Sequence, residues 1–165
     1  MDFNVECETL LNVLAKNLTA WLEVHKLSNR AFARISKLSE SSIRSIKKGQ
    51  KNIEFASLVK LRLSFNLNTV ALLTKTKIVP EIISTPLTDS IIKENIIAEQ
   101  ERIGKSILNV MKEKNIRPEK LSILAFNTDY SDTIKYLKGE INLTLITVLK
   151  FAAGLKVDKW QFLKD

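Results

Sequence analysis

The 165-residue chain reads as an all-α protein built from two tandem copies of a five-helix unit, each with an extended first helix. Three observations predict this. Apolar residues recur at three- and four-residue spacing through most of the chain, the period of a helix with one buried face. Four Gly and three Pro are too few for a loop-rich sandwich or barrel. Third, GQKNIEFASLVKLRLSFNLNTVALL (49–73) aligns without a gap on GEINLTLITVLKFAAGLKVDKWQFL (139–163), at an offset of 90 residues.

Within that alignment Gly49 meets Gly139, Asn52 meets Asn142 and Lys60 meets Lys150, while Phe55/Leu145, Leu58/Val148, Leu61/Phe151, Phe65/Leu155 and Leu72/Phe162 pair apolar with apolar. Upstream the offset is 89, with Leu14/Ile103, Leu18/Ile107, Leu22/Met111, Leu27/Ile116, Phe32/Leu121 and Ile35/Leu124 matched. The frame shifts by one residue somewhere after Ile35 and Leu124.

Each element follows from local signals. Leu10, Leu11, Leu14, Leu18, Trp21 and Leu22 give a long first helix over about 5–25. Ser28 caps a short second helix running to Ile35, with Phe32 and Ile35 inward. Ser39 caps a third helix that ends at Gly49. A fourth covers 54–65 on Phe55, Leu58, Leu61 and Phe65, and a short fifth covers about 69–74. The second copy repeats the order over about 89–114, 118–125, 130–138, 144–154 and 158–164, with Pro118 in a first turn where a missing N–H is harmless.

The expected units are 1–75, a connection over 76–88, and 89–165. Pro80 and Pro86 discourage a helix through the connection. Ile78, Val79, Ile82, Ile83 and Leu87 nevertheless suit a packed joint and not a tether.

Charge divides unevenly between the copies. The chain carries 26 Lys and Arg against 18 Asp and Glu, a formal net of +8. Residues 1–80 hold 13 basic against 6 acidic groups, and residues 81–165 hold 13 against 12. Within 26–75 the count is 11 against Glu40 and Glu54 alone, which points the first copy toward a polyanion.

Other classes drop out. One Cys, Cys7, excludes an internal disulfide framework, and one His, His25, excludes paired-histidine catalysis. No apolar stretch approaches the roughly 18 residues a membrane span requires. The acidic opening MDFNVECE does not fit a secretory signal, so a cytoplasmic location is expected. Gly-rich phosphate loops, metal-ligand clusters and paired carboxylates are absent, so no enzyme, metal or cofactor is expected. Cys7 is expected to be buried or inert, His25 to lie at the surface, and Trp21 and Trp160 to be core aromatics.

The segment KLSNRAFARISKLSESSIRSIKKGQKN (26–52) carries the mechanism. Its Leu27-Ser28 opening, Ala33 in mid-helix, Leu38-Ser39 at a turn, inward Ile43 and Ile46, and then Gly49 and Asn52 resemble the helix-turn-helix core of the Cro/lambda-repressor-like (XRE-type) transcription regulators, over about 11–74. The second copy resembles the family more weakly, through Ile134, Leu137, Gly139 and Asn142. The resemblance implies a lambda-repressor-like five-helix fold that binds double-stranded DNA with its third helix in the major groove.

Helical geometry adds residues to that expectation. With Ile43 and Ile46 buried, Ser41, Arg44, Ser45 and Lys48 point outward, flanked by Glu40, Ser42 and Lys47, with Ser39 at the cap. Small hydroxyls permit close approach to base edges, and an Arg fork can read guanine O6 and N7 together. By the resemblance, Asn29 grips phosphate, with Arg30 adjacent. Gln50, Lys51 and Asn52 are expected to hold the backbone on the other side. Glu40 departs from the family pattern: it can accept from a cytosine amino group or repel phosphate.

In the second copy a stripe of Ile134 and Leu137 would leave Asp132, Lys135, Tyr136 and Gly139 outward, with Asp129 at the turn and Glu140 after it. Pro118 and Glu119 replace the phosphate-gripping pair, so DNA binding there is expected to be weak or lost. Two heads are then expected to come from a homodimer, the alternative being a pseudo-dimer within one chain. The rival function is a helix-turn-helix module that binds protein, as an antitoxin-like or polymerase-binding adaptor.

Overall fold

The computed structural model describes residues 3–49, 52–126 and 130–164, and among these all regular structure is helical. The helices are α1 (Phe3–Val24), α2 (Asn29–Ser36), α3 (Glu40–Lys47), α4 (Phe55–Phe65), α5 (Thr69–Leu73), α6 (Asp89–Glu113), α7 (Pro118–Phe126), α8 (Ser131–Lys138), α9 (Leu145–Leu155) and α10 (Trp160–Leu163). Their lengths run 22, 8, 8, 11 and 5 residues and then 25, 9, 8, 11 and 4, so the order of lengths repeats.

Caps set the boundaries. The side chains of Ser28, Ser39, Asn68, Thr88 and Thr144 each accept a backbone N–H from the first turn of the helix that follows. Such a cap contributes about 1 kcal/mol. After α1, α3 and α4 and their counterparts α6, α8 and α9 the chain turns through a left-handed residue, and these six fall in equivalent pairs: Lys26 (φ 53°) with Asn115 (φ 52°), Asn66 (φ 48°) with Lys156 (φ 54°), and Gly49 (φ 62°) with Gly139 (φ 72°). After Lys26 the Leu27 N–H closes on the Leu22 carbonyl at 2.9 Å, and after Asn115 the Ile116 N–H closes on Met111 at 2.9 Å, the same helix-ending hydrogen bond in both halves.

Buried apolar residues of both halves form one core, including Leu14, Leu18, Phe32, Ile43, Phe65 and Leu72 with Ile103, Ile107, Phe151, Leu155 and Phe162. Burying each such side chain contributes roughly 1.5–3 kcal/mol. The long first helices explain the merger. α1 packs on α9 of the other half, and α6 packs on α4. Between them Glu54 and Thr144 form an isolated antiparallel bridge, with the Phe55 N–H donating to Leu143 O and the Leu145 N–H to Ile53 O, both at 2.9 Å.

Residues 74–88 are fastened along their length. The Trp21 indole N–H donates to Ile78 O at 3.2 Å, the Ile83 N–H to Ser64 O at 3.0 Å, and the Leu87 N–H to Ile35 O at 3.0 Å. Leu87 and Pro80 are buried, whereas Ile78 and Val79 are exposed. His25, expected at the surface, is half-buried, and its Nε2 lies 2.7 Å from Pro80 O, where it donates. A carbonyl brought close by tertiary packing gives the ring a partner that its sequence neighbours do not reveal. Cys7 and Trp21 are buried as expected, while Trp160 is half-buried beside the Lys159 ammonium.

Candidate nucleic-acid interface

The α2–α3 corner is built from short polar contacts over an apolar floor. Ser36, at the end of α2, is fully buried: its hydroxyl donates to Phe32 O at 2.9 Å and accepts from the Leu38 N–H at 3.3 Å. Lys37 then takes the left-handed conformation (φ 58°) and Leu38 is buried, so three residues turn the chain from α2 into α3. Ile43 and Ile46 face the core from α3, as their spacing predicts.

On the outer face Ser39 Oγ accepts from the Ser42 N–H at 3.1 Å and lies 2.8 Å from Ser42 Oγ and 3.0 Å from Ser41 Oγ. The three hydroxyls thus share protons at the start of α3 and stay next to solvent. Arg44 is exposed, and its guanidinium lies 3.6 Å from the Glu40 carboxylate one turn earlier. The Lys47 ammonium donates to Asn29 Oδ1 at 3.3 Å, which ties the start of α2 to the end of α3. Arg30 and Lys48 are exposed, and Ser45 is half-buried.

Ser41, Ser42 and Ser45 open onto a groove that continues past Gly49 to Asn52 and Glu54. Of the expected residues, Ser39, Glu40, Ser41, Ser42, Arg44, Ser45, Lys47 and Lys48 lie on α3 or at its ends, while Asn29 and Arg30 begin α2. Gln50 and Lys51 fall outside the described residues. Asn52 has a different engagement: its Oδ1 accepts from the Ile146 N–H at 3.0 Å, capping α9 across the joint between halves. Lys16 escaped the sequence reading. It borders a hollow with Lys47 and Lys48, yet on α1 only the apolar stripe drew notice.

α8 corrects the expectation for the second half. Its buried residues are Thr133 and Leu137, and Ile134 is half-buried. Ser122 Oγ donates to Thr133 Oγ1 at 2.8 Å, which lets a hydroxyl residue occupy the core where Ile134 was expected. Tyr136 is turned inward too, stacked on Phe126 (centroids 6.1 Å apart) and edge-on to Phe151 (5.9 Å). The outer face consists of Tyr130, Ser131, Asp132, Lys135 and Lys138. Asp129 falls outside the described residues.

No family model matches the chain, and no curated protein or solved structure matches it.

Proposed function

We propose that the protein is a sequence-specific, double-stranded DNA-binding transcriptional regulator whose α2–turn–α3 segment acts as a helix-turn-helix. In this reading each half is a lambda-repressor-like five-helix unit, and α3 of the first half enters the major groove. The carrying observation is the α3 surface: Arg44, Lys48 and Ser41 are exposed, half-buried Ser42, Ser45 and Lys47 flank them, and Ile43 and Ile46 are buried. Arg44 reads a base edge, while Lys47, Lys48, Arg30 and the neighbouring Lys16 neutralise phosphates. The Lys47–Asn29 contact supports this division, since it holds the two helices in one phosphate-facing frame.

The proposed protein binds its partner without catalysing a reaction and works in the cytoplasm. The reading holds for either assembly, a homodimer or one chain acting as a pseudo-dimer. One observation favours a protein-binding module instead. Ile123 and Leu124 on α7, with Tyr130 before α8, are exposed apolar groups of a kind that protein partners cover. Selection of bound sequences from random duplexes tests the choice. A recovered consensus supports the regulator, and an unenriched pool at low salt overturns it.

A further inference from the structure

We propose that a single chain lays both α3 and α8 on one duplex, with α8 supplying a second, base-indifferent phosphate contact through Lys135 and Lys138. The proposal rests on the reading of α3 above.

Its first support is an internal two-fold relation. The reciprocal hydrogen bonds from Phe55 to Leu143 and from Leu145 to Ile53 join residues exactly matched at the 90-residue offset, as does the Glu54–Thr144 bridge. The same exchange relates α1 on α9 to α6 on α4. It also relates side chains: the Lys150 ammonium lies 5.3 Å from the Phe3 ring, and their counterparts Lys60 and Ile92 line one hollow. An approximate two-fold axis therefore passes between Glu54 and Thr144. This is the isologous contact that two copies of a self-complementary surface make.

The second support is where that axis lies relative to the helices. The groove holding Ser41 and Ser45 runs to Glu54, so the outer face of α3 adjoins the axis. Each helix reaches the axis segment through an equivalent left-handed glycine, Gly49 or Gly139. The rotation that carries Glu54 onto Thr144 thus carries the outer face of α3 onto that of α8.

The third support is the register of α8. At the 90-residue offset Lys135 stands where Ser45 does and Lys138 where Lys48 does, while Tyr130 replaces Glu40 and Ile134 replaces Arg44. Leu137 also replaces Lys47 and Asp132 replaces Ser42, so α8 keeps two lysines and one carboxylate and loses the base-reading fork. Asp132 lies 3.5 Å from Lys135 and Glu140 lies 3.9 Å from Lys138. Both pairs are exposed, and exposed pairs are weak enough to yield to phosphate. A face with two lysines and no fork suits the backbone and not the bases.

Hydroxyl-radical footprinting of the full chain on a selected duplex, with the mass of the complex from analytical ultracentrifugation, tests this. One chain per duplex should protect two segments about one turn, roughly 10 base pairs, apart. The variant Lys135→Glu/Lys138→Glu should keep its circular dichroism spectrum, lose one protected segment and lower the salt slope of binding by about 2. It should also retain the consensus of the other segment. A single protected segment with unchanged binding by that variant, or two chains per duplex, overturns the proposal and leaves the α3 reading standing. Failure of the wild-type chain to bind any duplex overturns both.

Discussion

The Glu40 carboxylate lies 3.6 Å from the Arg44 guanidinium, on the same outward face of α3 and within reach of the same solvent. The pair sets the only carboxylate of α3 against its only arginine. Exposed i,i+4 pairs contribute roughly 0.3–0.5 kcal/mol to a helix, too little to explain why an acidic group stands on a face otherwise suited to phosphate. We expect Glu40 to act on the bound state. Glu40→Gln should leave the melting temperature within a degree or two and raise affinity for bulk duplex several-fold, since one unit charge at about 4 Å in water is worth about 1 kcal/mol. Fluorescence anisotropy on matched and scrambled duplexes reads both effects. A greater gain on scrambled DNA than on matched DNA would identify Glu40 as a specificity group.

Asn52 should behave as a structural residue. Its side chain caps α9 through Ile146, so Asn52→Ala is expected to cost about 1 kcal/mol in urea unfolding. The salt slope of DNA binding should stay unchanged. A drop in that slope by about 1 would return Asn52 to the phosphate-contacting set.

Gly104 marks a close helix crossing. A Cβ there would collide with the Leu137 carbonyl oxygen, so α6 and α8 meet backbone to backbone. The matched position in α1 is Ala15, which shows that the first half does not need so close an approach. Gly104→Ala should destabilise the protein by about 1–3 kcal/mol in equilibrium unfolding, whereas Ala15→Gly should cost about 2 kcal/mol through helix propensity and the loss of a buried methyl.

Cys7 should be slow to alkylate in the native protein. Burial first, and then the Glu8 carboxylate, hold its thiol above the ordinary value of 9.0. Folding therefore favours the protonated thiol. That contribution is whole below pH 9 and is lost as pH rises from there through the folded value. Iodoacetamide at pH 8 should modify the urea-unfolded chain at least tenfold faster than the native one, a ratio expected when burial suppresses the thiolate. Equal rates would place the thiol at the surface.

Much of this architecture was legible because its signals are local. Ser28 and Ser39 are cap residues that announce their helices, and both bind the backbone as their positions predict. The Ile43 and Ile46 stripe follows from spacing alone. What escaped depends on partners far away in the chain. α8 turns Thr133 inward because Ser122 satisfies its hydroxyl, and a hydropathy pattern takes a threonine for a surface residue. The union of the halves rests on main-chain groups of Ile53, Phe55, Leu143 and Leu145, and backbone hydrogen bonds carry no residue signature. The sequence pointed to that union only through the apolar residues of the connection, such as Ile82 and Leu87, which suit a packed joint.

The central claim is that the outer face of α3 reads DNA, and its most direct test is the salt dependence of affinity for a selected duplex, wild type against Arg44→Ala/Lys48→Ala. The account predicts a steep linear fall of log affinity with log salt for the wild type. For the variant it predicts a 10- to 100-fold loss on the matched duplex, of the order expected for one bidentate base contact, and a slope lower by about 1 from the missing lysine. Wild-type affinity that does not respond to salt, or a variant that binds the matched duplex as the wild type does, would contradict it.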